Sequence, residues 1–158
     1  MAVLEEKGGG IVFTLVDIIA FFDKEDIFDV MDTLFDLDVN KKAARLFFKL
    51  NEGTEVSVKT AGGMSKTAVV GDCIGQGTAG GAIVSAANLD HGLEQYFGSS
   101  KDEMYFGSVR LQPVAYQDDL GHANKNVRHA QIGNMKLACM LQDKCLKAHP
   151  DKTCFIVF

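Results

Sequence analysis

The stretch Ala115-Tyr116-Gln117-Asp118-Asp119-Leu120 decides the reading of this chain. It sets two adjacent carboxylates between apolar runs. A strand over residues 109–116, carrying one proline, turns back into a return strand over residues 120–123. Gln117 and Asp118 make the turn in this reading. A tight turn aims its side chains away from the core. Two carboxylates held there do not neutralise each other, and they invite a hard divalent cation with oxygen ligands. The pair alone carries little weight. Glu5-Glu6, Glu25-Asp26 and Asp102-Glu103 are adjacent acids as well, and about three such pairs are expected by chance at this acid content. A solvated turn accounts for any one of them, so the weight comes from what accompanies Asp118-Asp119.

Residues 10–16 form a near-continuous apolar run, the pattern of a strand buried on both faces. The run meets Asp17. A carboxylate there is costly unless it is paired, protonated, bound to a metal or placed at the strand's exposed end. Asp23 is the expected N-cap of the next helix, with Asp26 following. Ile27, Val30, Met31, Leu34 and Phe35 then recur at helical spacing. Asp36-x-Asp38-x-Asn40 begins like a calcium loop. Lys41 stands where such a loop needs glycine and Phe47 where it needs glutamate, so the segment reads as a helix–helix turn. A second helix over residues 42–50 places Ala43, Leu46, Phe47 and Leu50 on one face. Lys41, Lys42, Arg45 and Lys49 make it the most basic patch of the chain, either a solvated face or a contact to a phosphate backbone.

Short strands near residues 55–59 and 68–73 precede Gly75-Gln76-Gly77-Thr78-Ala79-Gly80-Gly81 and a helix over residues 82–96. Gly75, Gly77 and Gly80 match G-x-G-x-x-G between a strand and a helix, so a dinucleotide-binding domain has to be weighed. That fingerprint also needs an acid at the end of the next strand, about 20 residues on. Glu94 has the spacing but falls inside the helix, and no second strand–helix–strand unit follows. Residues 104–106 start the strand that leads into the hairpin, residues 124–147 are mostly helical, and Lys152-Thr153 leads into a last apolar strand. The order predicts an α+β fold, a small antiparallel sheet with helices packed on one face.

The 158 residues make one domain, and the formal net charge of -5 argues against a freestanding nucleic-acid-binding domain. The four cysteines form no Cys-x-x-Cys and no paired histidines accompany them, so reduced thiols are expected rather than a zinc site. The start carries acids and glycines rather than a targeting pattern. The longest apolar run, residues 11–22, is too short to span a bilayer. An intracellular protein without a membrane segment is expected. A last strand as apolar as Cys154-Phe155-Ile156-Val157-Phe158 wants a neighbour, which suggests a piece of a longer protein.

Four short motifs follow one another. A strand ends in Asp17 and is followed by Phe22-Asp23. Asp72-Cys73-Ile74-Gly75-Gln76-Gly77 precedes a helix. Tyr116-Gln117-Asp118-Asp119 is a Tyr-x-Asp-Asp box. Lys152-Thr153 leads into a strand after a long helix. In this order the chain resembles the palm domain of reverse transcriptases, in particular those of non-LTR retrotransposons, over residues 11–158. The resemblance implies an RNA-directed DNA polymerase that adds deoxynucleotides to a DNA primer on an RNA template, with two Mg2+ ions or Mn2+ in their place. Such ions stand about 3.5–4 Å apart in two-metal sites.

By the same resemblance Asp17 and Asp118 are the principal metal ligands, Asp119 a supporting one, and the carbonyl of Ile18 a further ligand. Phe22 would lie under the sugar and leave no room for a 2′-hydroxyl. Gln76 and Gly77 would lie against the incoming nucleotide and template, with Tyr116 beside the substrate. Lys152 would protonate the departing pyrophosphate, a role suited to a cation near phosphate. Gln117 departs from the small residue usual in the box, and Thr78 to Gly81 stand in place of the usual Ser-Pro. The fingers and thumb would lie outside residues 1–158, so the isolated palm is expected to have little or no polymerase activity. A noncatalytic palm-like remnant acting as an interaction module is the alternative, with the dinucleotide-binding domain behind it.

Overall fold

The computed structural model describes residues 10–158 other than 70, 72, 76, 79, 99–103 and 107. The described elements run β1 (Val12–Asp17), α1 (Phe21–Lys24), α2 (Ile27–Asp36), α3 (Lys41–Asn51), β2 (Glu55–Val56), β3 (Lys59–Thr60), β4 (Gly63–Met64), β5 (Ala68–Val69), α4 (Gly81–Phe97), β6 (Met104–Phe106), β7 (Val109–Leu111), β8 (Val114–Tyr116), β9 (Asp119–Asn124), α5 (Val127–Asp143) and β10 (Cys154–Val157). This is the expected α+β fold with a small antiparallel sheet. The chain divides into two compact units. One joins the segment up to Phe21 with Leu89–Phe158, and the other is Phe22–Asn88.

The first unit is built on a four-stranded sheet of order β10-β1-β9-β8. β1 is central and antiparallel to both neighbours, with Val12 opposite Asn124 and Asp17 opposite Asp119 on one side, and Val12 opposite Val157 on the other. The expectation of a strand buried on both faces is corrected here. Val12, Thr14 and Val16 are buried, whereas Leu15 is 42% exposed. Side chains alternate along a strand, so one face of β1 meets the core and the other stays open. α5 packs against β1 and β9. Its N-cap is Asn126, whose side chain accepts from the backbone N–H of His129. α5 begins after Asn124, which belongs to β9, and it ends at Asp143 rather than running on to Lys147. Gly92 of α4 faces α5 so closely that a Cβ there would come within 3.2 Å of Met140 Cγ. Tyr96 of α4 also donates a hydrogen bond to Asp143 of α5.

The proline-bearing strand of the hairpin is split into β7 and β8. β7 pairs with β6 in a sheet of its own, while β8 pairs with β9. Proline lacks the N–H that a continuous ladder needs, and the break falls at Gln112-Pro113.

The second unit packs α2 on α3. Val30, Met31, Leu34, Ala44 and Ile74 form its buried cluster, with Phe47, Phe48, Val39 and Val84 against it. The cap of α2 is Asp26, whose carboxylate accepts from Phe28 N–H at 2.8 Å, and Asp23 lies inside α1. The expected cap was therefore one helix too early. The expected inner face of α3 is also corrected. Ala44 is buried, while Leu46 and Leu50 are 60% and 61% exposed. Three of the unit's side chains meet at Asn88, which accepts from Thr33 Oγ1 at 2.6 Å and donates to Glu25 Oε1 at 2.9 Å and Asp29 Oδ2 at 3.0 Å. The Asn88 amide thus supplies a donor to one oxygen of the buried Glu25 carboxylate.

Candidate active site

The Tyr116-to-Asp119 turn is the two-residue hairpin that the sequence predicted. Tyr116 and Asp119 are cross-strand partners, and Gln117 and Asp118 close the loop between them. Gln117 has φ 55°. A positive φ at the first of the two turn positions and not at the second is the pattern of a type II′ turn, which favours glycine there. The backbone at Gln117 is therefore strained at the very tip of the acidic hairpin.

Antiparallel register carries this tip to β1. Asp119 lies opposite Tyr116 on β8 and opposite Asp17 on β1. Directly opposed residues share one face of a sheet. Tyr116, Asp119 and Asp17 therefore form one row across the open face, at the end where Asp118 turns the chain. The backbone ties this end together. Ile18 N–H donates to the Asp118 carbonyl at 2.7 Å, and His149 N–H donates to the Asp17 carbonyl at 2.7 Å. Ile18 itself is buried and bridges to Ala148 through its neighbours' groups, namely Ile19 N–H to Lys147 O and His149 N–H to Asp17 O. Its own carbonyl takes no part in that bridge.

Lys152 closes the row from the opposite side. Its Nζ donates to Asp17 Oδ1 at 2.8 Å, with the Asp17 side chain 17% exposed and the lysine 59%. The hydrogen bond to Asp17 and the Asp17 charge hold the Lys152 ammonium above its ordinary pKa; desolvation opposes them, and the charges of Asp118 and Asp119 add lesser upward contributions. One cation thus feels all three carboxylates. Among the described residues, no three His, Cys, Asp or Glu side chains already converge on one metal position.

The remaining predicted residues lie on the other unit. Phe22 is half-buried in α1, and Gly77 is exposed with φ 85° in the loop before α4. Gln76 lies outside the described residues. The dinucleotide alternative meets a topological obstacle. Every strand pairing among the described residues is antiparallel, whereas that fingerprint works within a parallel strand–helix–strand unit.

No family model and no curated protein matches the chain. Solved structures do. The chain is similar to telomerase from Candida albicans in complex with the TWJ fragment of telomeric RNA, with TM-score 0.72 and 13% identity over 98% of this chain and 28% of that one. It is similar to telomerase from Candida tropicalis in complex with the TWJ fragment, with TM-score 0.71 and 12% identity over 96% of this chain and 26% of that one. Apo telomerase from Candida tropicalis truncated from its C-terminal domain gives TM-score 0.67 and 13% identity over 99% of this chain and 32% of that one. The fold is polymerase-like. The chain spans between 26% and 32% of the length of these neighbours. No helix among the described residues is long and apolar enough to cross a membrane.

A polar group lies beneath the same sheet. His122 of β9 is buried, with Nε2 against Asn134 Oδ1 at 3.0 Å and Nδ1 against Asn124 Nδ2 at 2.8 Å. Burial pushes its pKa down, against the two asparagine hydrogen bonds. Gly133 of α5 leaves room for the ring, since a Cβ there would lie 2.7 Å from His122 Cε1. A histidine in a strand opposite a glycine one helix away leaves no local signal.

Proposed function

We propose that this chain is the palm of a retroelement RNA-directed DNA polymerase, of the non-LTR retrotransposon kind, which extends a DNA primer along an RNA template. The observation that carries the reading is the row of Tyr116, Asp119 and Asp17 on one open sheet face, with Asp118 at the turn and Lys152 across from it. The residue types in the row are the ones a two-metal site requires.

The donor set is hard oxygen, from three carboxylates and the Ile18 carbonyl, which suits Mg2+ or Mn2+. The Lys152 ammonium stands as a cation against Asp17 Oδ1 at 2.8 Å. When bound, two such ions would activate the primer 3′-hydroxyl and neutralise charge on the triphosphate. The chain's own residues set the stage. Asp17, Asp118 and Asp119 would hold the ions, with Ile18 O as a further ligand. Tyr116, 77% exposed beside Asp119, would buttress the primer end. Phe22 would exclude a 2′-hydroxyl, and Gln76 and Gly77 would border the incoming deoxynucleotide. Lys152 already carries its proton firmly and would release it to the pyrophosphate oxygen as that group departs. Fingers and thumb segments of a longer polyprotein would complete the enzyme, and the isolated chain would extend primers poorly or not at all.

One observation favours a second reading, a noncatalytic module that keeps the fold. Asp17 is already engaged by Lys152, and no ready-made metal cluster is present among the described residues. Mn2+ binding followed by electron paramagnetic resonance separates the two. A catalytic palm binds Mn2+ and loses it in Asp17→Asn and Asp118→Asn. Binding that ignores both substitutions overturns the catalytic reading.

A further inference from the structure

The unit Phe22–Asn88 carries a surface that the carboxylate site does not use. A groove of about 450 Å3 lies between α2 and α3, lined by Phe28, Phe35 and Phe48 with Asp32, Arg45 and Lys49 among its edges. Phe28 and Phe35 are 53% and 43% exposed. Phe28 and Phe48 meet with ring centroids 5.6 Å apart and tilted by 52°. Neighbouring exposed rings form a contiguous apolar patch of the kind that marks a contact surface.

α3 explains what kind of partner fits. Its sequence, Lys-Lys-Ala-Ala-Arg-Leu-Phe-Phe-Lys-Leu-Asn, holds four cations and no acid. At 3.6 residues per turn, Lys41, Arg45, Lys49 and Lys42 fall within a sector of about 100°. That sector adjoins the line of Ala44 and Phe48 that packs on α2; Arg45 and Lys49 line the aromatic groove, and Lys41 extends their row by one turn. All four are exposed, and among the described residues none is ion-paired. Lys41, Arg45 and Lys49 recur every four residues, about 6 Å apart along the axis. Successive phosphates of an extended strand have a comparable separation.

We propose that this groove binds a single strand of nucleic acid, with its phosphates along Lys41, Arg45 and Lys49 and its bases on Phe28 and Phe35. A basic track beside aromatic platforms is the arrangement such strands use. The acid on the opposite rim fixes the orientation. Asp32 of α2 lines the groove across from Arg45 and Lys49, so phosphates are driven to α3 and bases turn toward α2. There the Asp32 carboxylate accepts from exocyclic amino groups, as carboxylates do from cytosine N4. The surface therefore prefers cytosine over uracil or thymine. It stands on this unit alone, and its failure leaves the reading of Asp17, Asp118 and Asp119 untouched.

The test is fluorescence anisotropy of the whole chain with labelled oligo-dC and oligo-dT of about twelve nucleotides, in about 50 mM salt and upward. The wild type binds oligo-dC saturably and oligo-dT more weakly. The combined Lys41→Gln, Arg45→Gln and Lys49→Gln variant binds at least tenfold more weakly, and its salt slope falls by about 2, at about 0.7 per lost phosphate contact. Phe28→Leu keeps packing but loses the ring, and it weakens binding about tenfold. Far-UV circular dichroism and thermal unfolding verify that each variant is folded. The proposal is overturned by no saturable wild-type binding, or by a triple variant with unchanged affinity and slope. Loss of binding in Tyr116→Ala with none in the triple variant puts the strand on the sheet and also overturns it. So does a Phe28→Leu variant that changes self-association but not oligonucleotide affinity, which makes the groove a protein interface.

Discussion

Asp17 and Asp119 stand directly opposite each other in adjacent antiparallel strands. Like charges in such a pair repel and destabilise a sheet. Here the repulsion is offset by Lys152, whose ammonium hydrogen-bonds Asp17 at 2.8 Å. A fold concerned only with stability would place an apolar or opposite-charged pair at this position. The opposed acids are therefore the feature that function has to explain.

Replacing the counter-cation is informative. Lys152→Gln removes the competitor for the acidic row, so Mn2+ binding is expected to tighten several-fold, and under the proposed function primer extension falls. The lysine's pKa is raised in the folded state. Its contribution to stability is thus fully present below the ordinary lysine value of 10.5 and is lost as pH rises through the folded value. The wild-type advantage in thermal unfolding over Lys152→Gln is expected to vanish only at strongly alkaline pH. Because the lysine is solvent-exposed, that advantage is small. Weaker Mn2+ binding in the variant would contradict this account.

Gln117 holds φ 55° at the hairpin tip. Gln117→Gly is expected to stabilise the chain by about 1 kcal/mol, the left-handed penalty of about 1–2 kcal/mol less the added freedom of the unfolded glycine. Urea unfolding measures it. A destabilised variant would show that the glutamine side chain makes a compensating contact.

Gly133→Ala pushes a methyl group against the buried His122 ring. A cost of about 1–3 kcal/mol in urea unfolding is expected. A variant as stable as the wild type would mean that the ring moves aside freely.

The pH dependence of His122 has the opposite sign to that of Lys152. Its folded pKa lies below the ordinary 6.5. The unfolded chain therefore takes up the proton first, and stability present above pH 6.5 declines as pH falls toward the folded value. Thermal unfolding between neutral pH and about pH 5 should show this decline, and His122→Gln should flatten it. An identical pH profile in the variant would assign the decline to other groups.

Ile74 is fully buried in the cluster of Val30, Leu34 and Ala44, immediately before Gly75. Ile74→Ala is expected to cost about 2–5 kcal/mol and to loosen the loop that carries Gly77. Faster amide hydrogen exchange at Gly77 than in the wild type checks the second effect.

Much of the fold was legible because it rests on local chemistry. The two-residue turn, the helical spacing of Ile27, Val30, Met31 and Leu34, and the glycine run before α4 each announce themselves within a few residues. Errors arose where a local pattern had two solutions. Asp23 and Asp26 are equally good caps on paper, and only the hydrogen bond to Phe28 N–H chose between them. Either rotation of α3 buries some of its apolar residues. The packing of Ala44 against α2 selected one and left Leu46 and Leu50 outside.

By itself the sequence determined which residue types the chain offers and in what order: an acid after an apolar strand, two acids at a turn, a lysine before the last strand. It also determined that the turn lies at Gln117-Asp118. Only the tertiary structure decided that these acids belong together. Strand register is a non-local property, and a slip of one residue moves a side chain to the opposite face. The pairing of Asp17 with Asp119, and of Asp119 with Tyr116, fixed one shared face. The contact of Lys152 with Asp17 spans 135 residues of chain. No local pattern encodes a contact over that distance. It exists because the sheet order β10-β1-β9-β8 brings the two ends of the chain side by side.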